Sequence, residues 1–590
     1  MYDRKGTNME GKNMTRNMKL HCGLLLAGLI ACAPFAMGQY PSASEVGKDG
    51  TAVLLEDYVS LPISSPTHGG VPTAPIDNKG QLGRATSMRS EPANVPLAAS
   101  RMFVDDQSGT LYILDKNKQF TRYINFPELF PKFVSDTGLT VGIVSLAFDP
   151  GYAKNGRFYT VHVEKPDMVV SDSAVKLNGY SATAAVNPPA GPVRLESVLV
   201  EWTDTNIRNA SFEGSARELL RVGFERNHPM ADLLFNPLAK PGHADYGNLY
   251  VSVGDGAQGE TPGPGHFLPQ QLNTFMGKVL RITPDVKLHP KDMMSANGQY
   301  RIPSTGSDPN PFVSVAGARP EIFAYGFRNP HRMFWDVSSK ALIVNDIGLK
   351  SWEEVNIVTK GGNYGYAERE GDEQVFVGGA NNTKTGSQVS PPIPFPQEDL
   401  LKVEGLRDPV VPVYPAAAYS HNEGDSLGSG VVYRGKLMPQ LQGKYIFNDM
   451  TTGRIFYTDL AEMLATKGSR KQQSKVRELQ IVYKSATAPA PAKRRMFDIV
   501  AETYKQKGGI AAPDRVLPGA GGATTGWKDE AKTQPKTDPE GVVYGGGRAD
   551  VRLVIGGDGE IYVLSKADGM IRKMTALVSG ASTSQQKGGN

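Results

Sequence analysis

Gly247-Asn-Leu-Tyr-Val-Ser252 and Gly559-Glu-Ile-Tyr-Val-Leu564 share one construction, a turn glycine followed by a strand in which aromatic and β-branched side chains alternate. Gly109-Thr-Leu-Tyr-Ile-Leu114 and Gly156-Arg-Phe-Tyr-Thr-Val161 repeat it, and Asp558-Gly559 marks a tight hairpin ahead of the final copy. Helical periodicity is confined to Leu460–Lys467 and a short stretch from Arg217 to Val222. Many short strands with recurring Gly-aromatic phrases predict an all-β chain, and radial repetition hides sheet edges without one giant barrel. The expected fold is a six-bladed β-propeller between Ala85 and Ala576. Roughly 490 residues over six blades is nearly twice the ~40 to 45 of a minimal blade, so long inter-strand loops must project from it.

Outside that region the composition changes. Residues 1–38 read as a secretory signal: a basic stretch to Lys19, an apolar stretch from Leu24 to Ile30, then Ala36 and Gly38 before polar Gln39. Leu29-Ile30-Ala31-Cys32 also resembles a bacterial lipobox, in which Cys32 would carry a lipid anchor; cleavage after Gly38 is the alternative. Residues 39–84, rich in Pro, Gly, Ser and Thr, read as a flexible arm, 485–538 as a low-order insertion between the last two blades, and 577–590 as a tail. No later stretch approaches the ~20 apolar residues of a spanning helix, so no transmembrane span is expected in the mature chain.

Both cysteines, Cys22 and Cys32, fall inside the signal, which leaves the remainder without a disulfide or a thiolate metal site. Most of the formal charge of +4 also resides there. With no long Lys/Arg run elsewhere, nucleic-acid binding is set aside. No Cys-x-x-Cys-His motif attaches a haem, and neither a Gly-x-Ser-x-Gly elbow nor a His-Glu-x-x-His zinc helix is present.

Four stretches resemble the glucose/sorbosone dehydrogenase family, the soluble quinoprotein aldose dehydrogenases. Gly142-Ile-Val-Ser-Leu-Ala-Phe-Asp-Pro150 with Asn155-Gly-Arg-Phe-Tyr159 is similar to its first-blade signature. Tyr325-Gly-Phe-Arg-Asn-Pro330 carries its Gly-x-Arg-Asn-Pro phrase, and Glu353-Glu-Val-Asn356 through Gly362-Asn-Tyr-Gly365 its Glu-x-Asn and Gly-Asn-Tyr-Gly phrases. Gly430-Val-Val-Tyr-Arg-Gly435 with Tyr445-Ile-Phe-Asn-Asp449 resembles the blade that follows.

The resemblance implies a sugar or related alcohol oxidised at a pyrroloquinoline quinone (PQQ) site supported by calcium, with electrons leaving to a separate acceptor. It places Arg328 and Asn329 on the cofactor, and a guanidinium does offer a fixed, charged fork to carboxylates and quinone oxygens. Glu354 and Tyr364 match the calcium site, where a hard cation wants six to eight oxygens. His228, in an Asn-His phrase, falls where the family has its general base, a role suited to a pKa near neutral. Thr140 stands where the family has Gln, while His421, Arg434 and Arg454 match further cofactor-face positions. This chain departs from the family at Pro229-Met-Ala231 and at Asp346-Ile-Gly-Leu-Lys-Ser-Trp352. Gly254-Asp-Gly256 reads as a plain turn after a strand, since no helix start follows it. Two rivals remain: a catalytically silent propeller that binds carbohydrate or protein, and a calcium-dependent lactonase-like propeller. A dehydrogenase of this kind would be exported to the periplasm or cell surface.

Overall fold

Short runs of apolar and β-branched residues become strands, many of them buried at every position because both sheet faces are covered. The computed structural model describes residues 46–508 and 548–578, except for short stretches, among them 65–74, 135–140, 168–176, 259–262, 378–386 and 393–399. Residues 1–38, Thr140, most of 485–538 and all but the start of the tail lie outside the described residues. Four antiparallel sheets have four strands each, running outward from Ala85–Ser90 to Phe120–Asn125, from Ile143–Phe148 to Gly214–Phe224, from Met230–Phe235 to Ile322–Tyr325, and from Pro330–Asp336 to Ala417–Ser420. A fifth sheet has nine strands and begins and ends on inner strands, Leu427–Val432 and Val551–Ile555. Around the ring each inner strand packs on the next, and Val551–Ile555 closes it against Ala85–Ser90. The chain is all-β and propeller-like with few helices.

Apolar faces of neighbouring sheets hold this ring. Val161, Leu199 and Leu219 of the second sheet pack with Leu233, Val251 and Leu280 of the third, all fully buried. Burying one such side chain contributes about 1.5–3 kcal/mol. The four recurring Gly-aromatic phrases become the strands Thr110–Leu114, Arg157–Glu164, Leu249–Val253 and Ile561–Ser565, as their alternation predicts.

Three expectations from sequence are corrected. Arg217 to Val222 lies in the eleven-residue strand Gly214–Phe224, because both its neighbour Leu195–Asp204 and its apolar contacts favour extended backbone over a single helical turn. The supposed arm contains the nine-residue strand Ala52–Ser60, which pairs antiparallel with Met570–Val578 and parallel with Arg477–Lys484. The supposed low-order insertion contains a short strand, Ala492–Lys493, and a helix, Met496–Gln506, whose Met496, Phe497, Ile499, Val500 and Tyr504 are buried. Leu460–Thr466 is helical as expected, with Asp459 accepting from the Ala461 N–H at its start.

One arginine fixes the level of the inner strands. Arg332 donates to the carbonyls of Thr86, Val144 and Ala231, each the second residue of its inner strand. The N-terminal ends of four inner strands therefore meet at one end of the ring. The residues just ahead of them, around Arg84, Gly142, His228 and Arg328, converge there.

Candidate functional site

His228 stands two residues before the inner strand Met230–Phe235, with φ of 56° in the left-handed region and its side chain buried. Its Nδ1 lies 2.6 Å from Oδ1 of Asp255. A carboxylate on Nδ1 makes that nitrogen the donor and leaves Nε2 as the ring's acceptor. Burial opposes ionisation of Asp255, but the His228 ring and then the Arg328 charge hold its carboxyl below the usual range. Gly254 allows the approach: a Cβ there would sit 2.5 Å from the His228 Cβ. Gly254-Asp255-Gly256 is thus the orienting half of a dyad rather than a plain turn. The signal was readable as an Asp closing a strand that neighbours the His phrase, but only strand pairing, Met230 opposite Val253, brings the two together.

Arg328 and Asn329 join the same site. The Asp255 N–H donates to the Arg328 carbonyl at 2.7 Å. Asp346 accepts from the N–H groups of both Arg328, at 3.1 Å, and Asn329, at 2.7 Å. Burial and then the Glu354 charge push the Asp346 carboxyl well above the usual range. Nη1 of Arg328 donates to the carbonyls of Ile347 and Gly348, so the departing loop 346–352 is what seats the guanidinium. Oδ1 of Asn329 is buried with no hydrogen-bond partner among the described residues.

A basic wall that sequence reasoning missed faces them. His331, 2% exposed, has neither ring nitrogen hydrogen-bonded among the described residues. Burial, reinforced by the charges of Arg332, Arg552, Lys566 and His228, pushes its pKa far down and keeps the ring neutral. Arg552 donates to Asp550 at 2.9 Å and the Lys566 ammonium lies 3.3 Å from the same carboxylate. With Arg548 also acting on Asp550, three buried cations share one anion. Burial pushes Lys566 down to about 7 although Asp550 opposes it. These cations lie on or beside Val551–Ile555, far along the chain from every motif that pointed to the site.

The other expected cofactor residues are placed differently. Arg434 is half exposed and grips both oxygens of Asp336, at 2.8 and 2.9 Å. Asp336 ends the inner strand that Arg328-Asn329 precede, about 20 Å away at ~3.3 Å per residue, so Arg434 belongs to the opposite end of the ring. Arg454 lies between Glu423, at 3.0 Å, and Glu478, at 2.9 Å, with its charge matched by both. His421 pairs with Glu353 at 2.7 Å. Burial would lower its pKa, yet Glu353 raises it to about 9. Glu353 in turn accepts from the Gly348 N–H, which ties His421 to the loop holding Arg328.

The calcium pair does not converge. Oε1 of Glu354 accepts from the Gly371 N–H at 2.6 Å and Oε2 from Asn356 at 3.2 Å. Burial, with the Glu370 and Glu353 charges, pushes its carboxyl up to about 8. The Tyr364 hydroxyl donates to the Ile357 carbonyl and accepts from the Thr359 N–H, while its ring stacks on Phe327 at 4.5 Å. Among the described residues no three His, Cys, Asp or Glu side chains gather as metal ligands. Glu354 and Tyr364 hold loops by hydrogen bonds, and side chains that fit calcium are not assembled there.

The fold and site define a propeller-like all-β protein with an oriented histidine beside a buried basic wall, and the chain resembles the glucose/sorbosone dehydrogenases. The family model described as Glucose / Sorbosone dehydrogenase matches residues 241–395. The HIPL1 protein of Arabidopsis thaliana is 25% identical over 70% of this chain and 57% of its own length. Aldose sugar dehydrogenase YliI of Escherichia coli K12 is 35% identical over 38% of this chain and 46% of its own. The chain thus spans about half the length of these curated relatives. A solved glucose dehydrogenase aligns at 16% identity and a TM-score of 0.49, over 84% of this chain and 97% of that one.

Proposed function

We propose that this protein is an exported PQQ-dependent dehydrogenase of sugars or related alcohols, and that the nine-stranded sheet is two blades joined at their outer edges, giving six blades. The observation that carries the reading is the His228–Asp255 dyad set against Arg328 and the cluster of Arg552, Lys566 and Arg548. PQQ carries three carboxylates, and a wall of three cations around one carboxylate fits such a ligand better than it fits an empty core. The buried Oδ1 of Asn329 and the His331 ring nitrogens supply polar atoms for the same ligand. Bound there, the quinone would accept the two electrons removed from the substrate carbon.

The chain's own work is positioning and proton transfer. Asp255 fixes the ring so that Nε2 of His228 can take the hydroxyl proton of the substrate while its carbon gives up hydride. Proton and hydride together convert CH–OH to C=O. Arg328 and Asn329, braced by Asp346, would hold the oxygens of the cofactor. Calcium enters no step, since Glu354 and Tyr364 do not fit it. The basic, apolar and small-residue segments of 1–38 support export to the periplasm or cell surface, with Cys32 as the lipid-anchored alternative, and electrons would pass to a separate acceptor.

A second reading is a silent binding module. It is favoured by the HIPL1 protein matching far more of this chain than the sugar dehydrogenase does, and by Arg434 and Arg454 being engaged in ion pairs. An absorbance titration with PQQ, followed by dye reduction with a panel of aldoses, separates the two. Saturable binding with turnover supports the dehydrogenase; binding without turnover supports the silent module; no saturable binding ends the PQQ reading.

A further inference from the structure

Between Ala341–Asp346 and Trp352–Val358 the fourth sheet turns at the end of the ring where Arg328 lies, since Asp346 pairs with both Pro330 and Glu354. One peptide unit of that turn, Ile347–Gly348, is gripped from both sides. Its carbonyl accepts from Nη1 of Arg328 at 3.1 Å, and its N–H donates to Oε2 of Glu353 at 3.3 Å. A buried guanidinium and a fully buried carboxylate thus stand at opposite ends of one peptide dipole, where each charge strengthens the other's hydrogen bond. The next carbonyl, of Gly348, accepts from the same Nη1 at 2.7 Å.

Glu353 is itself held in place. Its Oε1 meets Nε2 of His421 at 2.7 Å, and Oε2 also accepts from the N–H of Leu427 at 2.7 Å, the residue that begins the inner strand of the next sheet. His421 returns a bond to the turn, its N–H donating to the Ser351 carbonyl at 2.9 Å. From the other side Glu370 accepts from the N–H groups of Leu349 and, at 3.0 Å, Ser351. This crowding demands glycine at 348: a Cβ there would fall 1.8 Å from the Trp352 carbonyl oxygen and 2.6 Å from Oε1 of Glu370. The turn closes on the site through the Ile347 N–H, which donates to the Asn329 carbonyl at 3.0 Å. Both oxygens of Asp346, Glu353, Glu354 and Glu370 therefore face nitrogen donors, where a cation would seek open oxygens.

We infer that Glu353 is a positioning residue for Arg328, acting through the Ile347–Gly348 peptide, and that Glu353 and Glu370 together seat this turn without a divalent cation. This rests on the reading that Arg328 meets the oxygens of PQQ. A guanidinium on a long side chain loses rotamer freedom when it is aimed, and here two carbonyls fix its Nη1 while a carboxylate one peptide away fixes the carbonyls. Glu353 acts only through that peptide, because both of its oxygens are engaged by nitrogens of the protein itself.

The test is a double-mutant cycle on the full chain, read by absorbance titration with PQQ in buffer containing chelator. Glu353→Gln keeps the shape, since its amide oxygen can accept from Gly348 and Leu427 while its NH2 faces His421, so the charge is what is lost. It should weaken PQQ binding roughly three- to thirtyfold, yet change it less than twofold in an Arg328→Ala background, where nothing remains to be positioned. Wild-type affinity should be the same with chelator and with added calcium. Nitrogen-15 NMR of the cofactor-free chain gives a second measurement: the Arg328 guanidinium signal, assigned by its loss in Arg328→Lys, should shift and broaden in Glu353→Gln. Wild-type affinity in Glu353→Gln, equal losses in both backgrounds, an unchanged guanidinium signal, or wild-type binding that needs calcium each overturns the inference while leaving the dehydrogenase reading intact. If wild type binds no PQQ but the guanidinium signal responds, the dehydrogenase reading falls and the link from Glu353 to Arg328 stands; if neither is seen, both fall.

Discussion

Asp255→Asn removes one charge and almost no volume, and it addresses the contact that distinguishes His228 from an ordinary buried histidine. The 2.6 Å bond from Nδ1 to Oδ1 is charge-assisted, and such a bond is worth about 1.5–3 kcal/mol. At 1.4 kcal/mol per decade, that is roughly a ten- to 150-fold fall in turnover when the carboxylate no longer orients the ring. The amide oxygen can still accept from the Ala257 N–H, which Oδ1 of Asp255 meets at 2.9 Å, so the turn should survive. Nitrogen-15 NMR of the imidazole reads the tautomer directly: wild type should carry its proton on Nδ1, and the variant, whose amide can turn either its oxygen or its NH2 to Nδ1, should show a mixture. Dye-reduction kinetics with PQQ should fall while cofactor affinity, by absorbance titration, stays within about twofold. Unchanged turnover with an altered tautomer would refute His228 as the base; an unchanged tautomer would refute the orienting role of Asp255.

Gly254→Ala should remove activity with Asp255 and His228 both present, because its Cβ would need the space of the His228 Cβ at 2.5 Å; normal kinetics would show that the loop relaxes freely. Lys566, pushed down to about 7, loses its charge as pH rises through neutrality, so PQQ affinity should fall between about pH 6 and 8.5, and Lys566→Arg should flatten that slope. Arg434→Ala should leave PQQ binding unchanged, whereas Arg552→Ala should weaken it roughly tenfold or more; the reverse pattern would place the cofactor at the other end of the ring. Glu354 titrates in the fold near 8 against 4.5 unfolded, so the folded state holds a proton that the unfolded chain has lost. That contribution is fully present below about pH 4.5 and disappears as pH rises through about 8, and Glu354→Gln should gain melting temperature over wild type at the alkaline end. A wild-type midpoint that rises with calcium and falls with chelator, an effect absent in Glu354→Gln, would instead make Glu354 a metal ligand.

Local phrases carried much of this protein. Turn glycines followed by short runs of aromatic and β-branched residues determined the strands, because such side chains suit extended backbone buried on both faces between neighbouring sheets. The Arg328-Asn329 pair and His228 were legible for a related reason: each sits in a short phrase immediately ahead of an inner strand. What the sequence could not assign was anything whose meaning depends on a partner far along the chain. Ala52–Ser60 lies in Pro- and Gly-rich surroundings and looks like an arm until Met570–Val578 and Arg477–Lys484 take up its hydrogen bonds. Gly254-Asp255-Gly256 looks like a turn until pairing of Met230 with Val253 brings His228 beside it. Arg434 and Arg552 are indistinguishable as arginines at strands; one meets the last residue of an inner strand and the other is the second residue of an inner strand, and that position alone decides which charge reaches the site. Charge and hydrogen-bonding capacity are properties of residues, but a site is a place where they converge, and convergence is set by how the inner strands line up around the ring.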